Sequence, residues 1–361
     1  MKKYFTTGVL ILYILLFESC NSPTETLQQY KHPQEMTWTA DTITYPGSAQ
    51  VLMGSIWASS PNDVWIVGHN DRSVGNVWHF DGAKWYDVSP LQNFYKSPNT
   101  FAKVSAKSTN DIWFVGDRTF SDPNEPYGRR FEDLIIQYKY GTWIEHDLNT
   151  NFRILSINCV SDNEIYVCGD NGFVAKYDGI KWEKDTIKII YPKDGSYFLR
   201  DVAKYNNKIN LLANFNSTYG GKYYFIQGDI NKWVIADTNG LDLTSLTLNW
   251  GQLGLHVGGD NKLYSYGSGG VWQWNNEWKI VLDNNLQIWG LTILREDYKI
   301  ACGVKRNVYF FNGYQWNIIE ALKNVEENTV YRDAWTNGNE IFIIGNLIDS
   351  YPQKTIVWHG K

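Results

Sequence analysis

Cysteine is scarce in this chain: four occur in 361 residues, at positions 20, 159, 168 and 302. With Cys20 set aside an odd number remains, so in an exported protein at least one thiol stays unpaired. No Cys/His spacing resembles a zinc site, and no metal or other cofactor is expected. Excess positive charge is missing too. A formal charge of −5 and a pI near 5.7 argue against a nucleic-acid partner, which would demand a basic surface. Long apolar runs are missing: the longest leading stretch, Gly8 to Phe17, is too short to cross a bilayer. No convincing helix is legible, and so no Gly-rich phosphate loop opens one. The histidines His69, His79, His146, His256 and His359 are scattered, and none pairs with Ser or Cys as nucleophilic catalysis would require. What is plentiful is aromatic: 16% of residues, with 17 Trp and 24 Tyr. Such side chains favour pleated, half-buried surfaces and point to an all-β fold.

The first nineteen residues read as an export signal. Lys2 and Lys3 precede the short apolar run, which ends in Phe17-Glu18-Ser19-Cys20. A small residue before the cysteine resembles the bacterial lipobox, in which the thiol receives a diacylglycerol and becomes the mature N-terminus. Phe17 stands where lipoboxes usually carry Leu, and a plain secretory signal with an incidental Cys20 is the other reading. Asn21 in place of Asp favours the outer membrane or cell surface over inner-membrane retention. Residues 20–35 are polar and aperiodic, as a tether would be. The folded domain is expected over 36–361.

Within it one motif recurs. Ser55-Ile-Trp-Ala-Ser-Ser-Pro-Asn-Asp63-Val-Trp65-Ile-Val-Gly68 leads to Val77-Trp-His-Phe-Asp81-Gly82-Ala-Lys-Trp85. Copies run through Asn110-Asp111-Ile-Trp113-Phe-Val-Gly116 to Trp143, and through Asn163-Glu164-Ile-Tyr-Val-Cys-Gly169 to Trp182. Weaker copies end at Trp233, Trp278 and Trp316, and a seventh begins near Asp333. Each unit divides into four strands: an Asx turn joins the first two, and an Asp-Gly or similar turn joins the last two. A four-stranded repeat of roughly 40–50 residues is what a propeller blade requires. The seventh copy stops at Lys361 without its fourth strand, while Glu35-Met-Thr-Trp38-Thr-Ala ahead of the first copy matches that missing piece. An N-terminal strand around Trp38 is therefore expected to close a seven-bladed propeller and remove its free edge. Cys168 and Cys302 fill one repeat position, where Val67 stands in the first copy. That equivalence marks them as small buried residues. A Cys159–Cys168 disulfide remains open, since the two lie on neighbouring strands.

Through Asn-Asp-Val/Ile-Trp-x-Val-Gly and Tyr-Asp-Gly-x-x-Trp the chain resembles the propeller lipoproteins of Bacteroidetes-like bacteria, which are broadly similar to Ycf48-type and tectonin-like propellers. The resemblance covers nearly the whole mature chain and implies the fold. It implies little about function, since propellers serve many chemistries.

In such a fold the hairpin turns lie on one face and all other connections on the opposite face. The turns are uniformly short, so the first face is expected to be flat. The long segments 86–100, 117–133, 185–198 and 214–222 fall on the second. Loops of that length on a rigid scaffold are often functional. They carry Phe94, Tyr95, Phe101, Phe120, Tyr127, Tyr191, Tyr197 and Tyr219, which suit a glycan or a protein surface if exposed and merely pack the loops if not. The innermost strands start on this face, and alignment with Ser55 places Lys103, Ser156, Asp201, Ser245, Gly290 and Asp333 around the channel mouth, preceded in three blades by Arg200, Trp289 and Arg332. Three readings follow. The ring stitches blades together through ion pairs; or it binds a polar ligand or anion, as part of a face that receives an envelope glycan or protein; or Asp201 and Asp333 serve as acid and base of a polysaccharide hydrolase or lyase. The candidate ligand contacts are Lys103, Arg200, Asp201, Trp289, Arg332, Asp333, Tyr95, Tyr127 and Tyr197, with Cys20 as the lipid attachment point.

Overall fold

The aromatic and β-branched runs form strands throughout. The computed structural model describes residues 30–361 apart from 73, 90–98, 126–127, 190–194, 218–219, 241–247, 284, 305–306, 324 and 326–328. Apart from the single helical turns Pro33–Glu35 and Glu320–Leu322, the regular elements among the described residues are strands. They assemble into seven antiparallel four-stranded blades. Blade 1 comprises Val51–Ser60, Asp63–Asn70, Val77–Phe80 and Trp85–Asp87, and the others follow as 99–146, 154–186, 195–240, 254–282, 288–318 and 329–360. A single ladder pair, His69 with Thr100, joins blades 1 and 2 into one continuous sheet.

Blade 7 contributes three strands of its own and takes its fourth from Trp38–Ile43. This strand runs antiparallel to Lys354–Gly360, from Trp38 opposite Gly360 to Ile43 opposite Thr355. The Trp38 ring lies against Gly360, where a methyl group would stand 3.0 Å from the indole. The closure expected from the two chain ends is the one the fold adopts.

Every blade is packed between two others, so the second strand is buried on both faces. Ile341–Leu347 is buried at every position, and Val64, Ile66 and Val67 are inaccessible to solvent. This explains why the Ile-Trp-Phe-Val runs are apolar throughout instead of alternating. The core is a set of wedges between blades. Trp65, Phe101, Val104 and Phe114 fill the wedge between blades 1 and 2, and Tyr166, Tyr197, Leu199 and Phe215 fill that between blades 3 and 4. Fully burying each such side chain contributes about 1.5–3 kcal/mol.

The three described cysteines are buried and unpaired. Cys159 reaches the Ser105 carbonyl of blade 2, whereas Cys168 reaches the Leu199 carbonyl of blade 4. The two thiols point towards opposite neighbours, which excludes a bond between them.

Candidate functional site

In four of the blades a glycine of the second strand shapes the channel mouth. At Gly68, Gly116, Gly169 and Gly303 a Cβ would lie 1.9–2.2 Å from a carbonyl oxygen of the innermost strand or of the residue just before it. Only glycine lets that strand pass so closely. Beside it the innermost strand bulges, gaining one residue between Met53 and Ser55, Phe101 and Lys103, Ile154 and Ser156, Leu199 and Asp201, Ile288 and Gly290, and Tyr331 and Asp333. A bulge re-aims its side chain. The extra residues Gly54, Ala102, Leu155, Arg200, Trp289 and Arg332, joined by Leu253 of blade 5, all line one cup of about 330 Å3 at the mouth.

The next residue of each strand forms the floor. Lys103 Nζ donates to Asp201 Oδ1 at 2.6 Å and to Ser156 Oγ at 3.1 Å, and the Ser156 hydroxyl itself donates to Asp201. Asp201 also accepts the amides of Val202 (3.0 Å) and Leu255 (2.8 Å). Its side chain is 4% exposed and four donors occupy it. Asp333 accepts the amides of Ile56 (3.1 Å) and Ala334 (2.9 Å). Burial pushes its carboxyl up to about 7, against the pull of those two amides. Ser55 accepts the Val104 amide at 3.3 Å. Stitching through an ion pair is thus real at Asp201, while Asp333 holds the neighbouring blade through a backbone amide. Asp201 is neutralised by a lysine two blades away, and Asp333 caps backbone amides.

Blade 5 departs from the alignment. Its innermost strand is Gly254–Val257, so the floor position belongs to Gly254 and not to Ser245, which lies outside the described residues. A Cβ on Gly254 would meet the Tyr266 ring at 2.2 Å, and it is Tyr266 that reaches the cup from this blade. Gly290 is a floor residue of the same kind, pressed against the backbone of Asp333.

Among the described residues no carboxylate lies within ion-pair distance of Arg200 or Arg332. The Arg332 guanidinium sits over the Trp289 ring, 4.7 Å from its centroid. Burial, and then the like charge of Arg200, push it below its ordinary value. The cup therefore presents two guanidinium groups above a floor whose carboxylates are already engaged.

Below the floor the channel opens into a second cavity of about 520 Å3, which shares Ser55, Lys103, Tyr266 and Asp333 with the cup. His256 lines it and accepts the Ile293 amide at 3.3 Å. Burial holds its imidazole down to about 4, so it is neutral across the physiological range.

The loop aromatics divide. Tyr95 and Tyr127, together with Phe94, Tyr191 and Tyr219, lie outside the described residues. Tyr197 and Phe101 are core residues, 4% and 3% exposed, and are not offered to a ligand. Two of the four long segments are extensions of blade hairpins and not loops: Asp117 to Ser121 pairs with Asp133 to Arg129, and Asn214 to Ser217 pairs with Tyr223 to Gly220. Cys20 also lies outside the described residues. A set of side-chain clamps escaped the sequence reading. The turn acid Asp63 accepts Trp65 Nε1 and His79 Nε2, both at 2.8 Å. Glu340 engages His359, which stacks on Phe342 at 3.8 Å. Backbone capping of the expected kind occurs in the first turn of blade 7, through Asn337, and in the other turn of blades 1 and 3, where Asp81 and Asp178 accept amides two and three residues on.

These features define a closed seven-bladed β-propeller with a cationic cup at one end of its channel. Solved propellers share the architecture. The structure titled "YCF48 bound to D1 peptide" aligns with a TM-score of 0.59 at 14% identity, covering 91% of this chain and 97% of that one. YCF48 from Cyanidioschyzon merolae gives 0.57 at 13%, covering 88% and 98%. The WD40 propeller domain of Doa1 gives 0.53 at 11%, covering 90% and 97%. No protein-family model matches the chain, and no curated protein matches it in sequence.

Proposed function

We propose that this protein is a non-enzymatic scaffold, anchored to the bacterial envelope through Cys20, that receives a protein partner at the channel mouth. The observation that carries this reading is the pair of guanidinium groups, Arg200 and Arg332, facing the cup with no carboxylate partner among the described residues. A guanidinium without a carboxylate partner in a concavity is a ready fork for a carboxylate. Bound peptide in a structure of similar fold gives the reading a precedent in that protein. A glycan is less well served, because one face of Trp289, the ring best placed for stacking on a sugar, is covered by Arg332. The hydrolase reading loses its base, since Asp201 is occupied by four donors.

The test is a pull-down from envelope extract with wild type and the R200Q/R332Q double variant. The proposal expects one or more envelope proteins enriched by wild type and at least tenfold less by the variant. Equal recovery by both would remove the cup from the partner interface. For the anchor, Cys20→Ser should move the protein from the membrane to the soluble fraction; persistence in the membrane would refute it.

A further inference from the structure

The path by which the chain reaches the propeller distinguishes its two faces. The Lys31 amide donates to the Gly338 carbonyl at 2.9 Å, and Tyr298 Oη donates to the Lys31 carbonyl at 3.3 Å. Gly338 belongs to the turn between first and second strands of blade 7 and Tyr298 opens the second strand of blade 6, both on the face opposite the cup. The closing strand starts on that face as well, with Trp38 opposite Gly360 and Thr37 bonded to Lys361. Lys31, the first residue of the folded unit, is therefore held at the turn face. Cys20 precedes Lys31 by eleven positions, a reach of at most about 40 Å when fully extended.

The same face carries apolar tips. Tyr140, Ile180 and Tyr314 are 75%, 88% and 94% exposed, and each sits in the turn between third and fourth strands of its blade. The tips are fixed in place by the turns that bear them. Asp178 caps the amides of Ile180 and Lys181, Asn312 caps those of Tyr314 and Gln315, and Tyr140 holds a left-handed φ of 47°. Tyrosine with an apolar body and a polar tip suits the headgroup layer of a bilayer. The turns of this face bear Asp81, Asp178, Glu277 and Asp297 alongside Lys84, Lys181 and Lys262, a mixed charge that favours a zwitterionic surface over a strongly charged one.

We propose that the turn face is the lipid-facing side of the molecule, seating Tyr140, Ile180 and Tyr314 in a zwitterionic headgroup layer and directing the cup away from the bilayer. This rests on the anchor reading above and adds an orientation to it. A partner then approaches from the aqueous side, with the cup as its landing surface.

The test uses the full acylated chain in phosphatidylcholine vesicles containing brominated lipid, a short-range quencher. A fluorophore is placed by maleimide on Lys181→Cys, at the turn face, or on Tyr351→Cys, 87% exposed on the cup side. Cys159, Cys168 and Cys302 are buried and burial pushes their thiols up, so they stay silent to the reagent. The proposal expects quenching at position 181 at least threefold greater than at 351. Equal or reversed quenching overturns it. In the triple variant Y140S/I180S/Y314S, flotation with vesicles persists while quenching at 181 falls at least threefold. Undiminished quenching would overturn the role of the tips. If wild type fails to float, the anchor itself is refuted. The face is then read from the same two labels with residue 21 held to nickel-chelating lipid by a histidine tag, and a 351-over-181 pattern there overturns the proposal.

Discussion

Methionine at position 103 keeps much of the lysine stem and deletes its charge. Asp201 is left as a carboxylate 4% exposed, with the Ser156 hydroxyl and the amides of Val202 and Leu255 but no counter-charge. Breaking a buried pair from one side typically costs ~3–5 kcal/mol. The remaining donors and the 29% exposure of Lys103 bring the expectation for K103M to about 2–3 kcal/mol. A folded unit spanning 31–361 has an unfolding entropy of about 0.7 kcal/mol per kelvin, so Tm should fall by roughly 3–4 K. D201N turns one acceptor into a donor facing existing donors, which costs about 3 kcal/mol or roughly 4–5 K. Once Asp201 is neutral, the lysine has no pair to lose. The K103M/D201N double variant should therefore melt close to D201N alone, a coupling of about 2 kcal/mol. Differential scanning calorimetry at pH 7.5 provides all four Tm values. Additive shifts would show that Lys103 and Asp201 do not act as a unit, and the description of the floor would be wrong.

The raised carboxyl of Asp333 has a pH signature. Its folded form stays protonated up to about 7 where the unfolded chain has released the proton near 3.8, so its contribution to stability is lost as pH rises through that window. The difference in stability between wild type and Asp333→Asn should slope by up to about 1.4 kcal/mol per pH unit between pH 4 and 7 and be flat above it; a difference that is flat throughout would mean the carboxyl titrates normally. Gly116→Ala drives a methyl group to 1.9 Å from the Thr100 carbonyl and should cost at least about 3 kcal/mol. Gly54→Ala meets nothing within 4 Å and should stay within about 0.5 kcal/mol of wild type by urea denaturation. Equal effects at the two sites would remove the steric basis for the bulge. A chain beginning at residue 44 loses the closing strand and with it Ile43, 2% exposed. It should unfold without a cooperative transition by circular dichroism, and regain one when a peptide of residues 30–44 is added. A sharp transition without peptide would contradict closure by that strand.

Fold was legible in the chain because the repeat exposes its own geometry. Asx and Gly turns bracket the hairpins, a Trp stands first or second in each fourth strand, and Trp38 supplies the one that the last unit lacks. The floor of the cup was legible for the same reason, since Lys103, Asp201 and Asp333 share a repeat position. Their partners were not. The Lys103–Asp201 contact crosses two blade boundaries, between residues 98 positions apart, and no local pattern encodes it. Blade 5 misled the alignment because its innermost strand is only four residues long and its floor position is a glycine covered by Tyr266. Tyr197 misled because an aromatic in a long connection looks like a surface contact, whereas blade 4 extends its strands and draws that ring into the wedge with blade 3. The clamp of Asp63, Trp65 and His79 was hidden by its own regularity: the acids recur as turn residues do, and only the structure shows their carboxylates on side chains.

The most direct measurement is site-specific photo-crosslinking in intact cells, with p-benzoylphenylalanine replacing Leu155 in the cup or Ile180 on the turn face. A partner received at the channel mouth predicts a discrete protein adduct from position 155, diminished by R200Q/R332Q, and none of that mass from position 180. Adducts from 180 alone, or an adduct at 155 indifferent to both arginines, would contradict it.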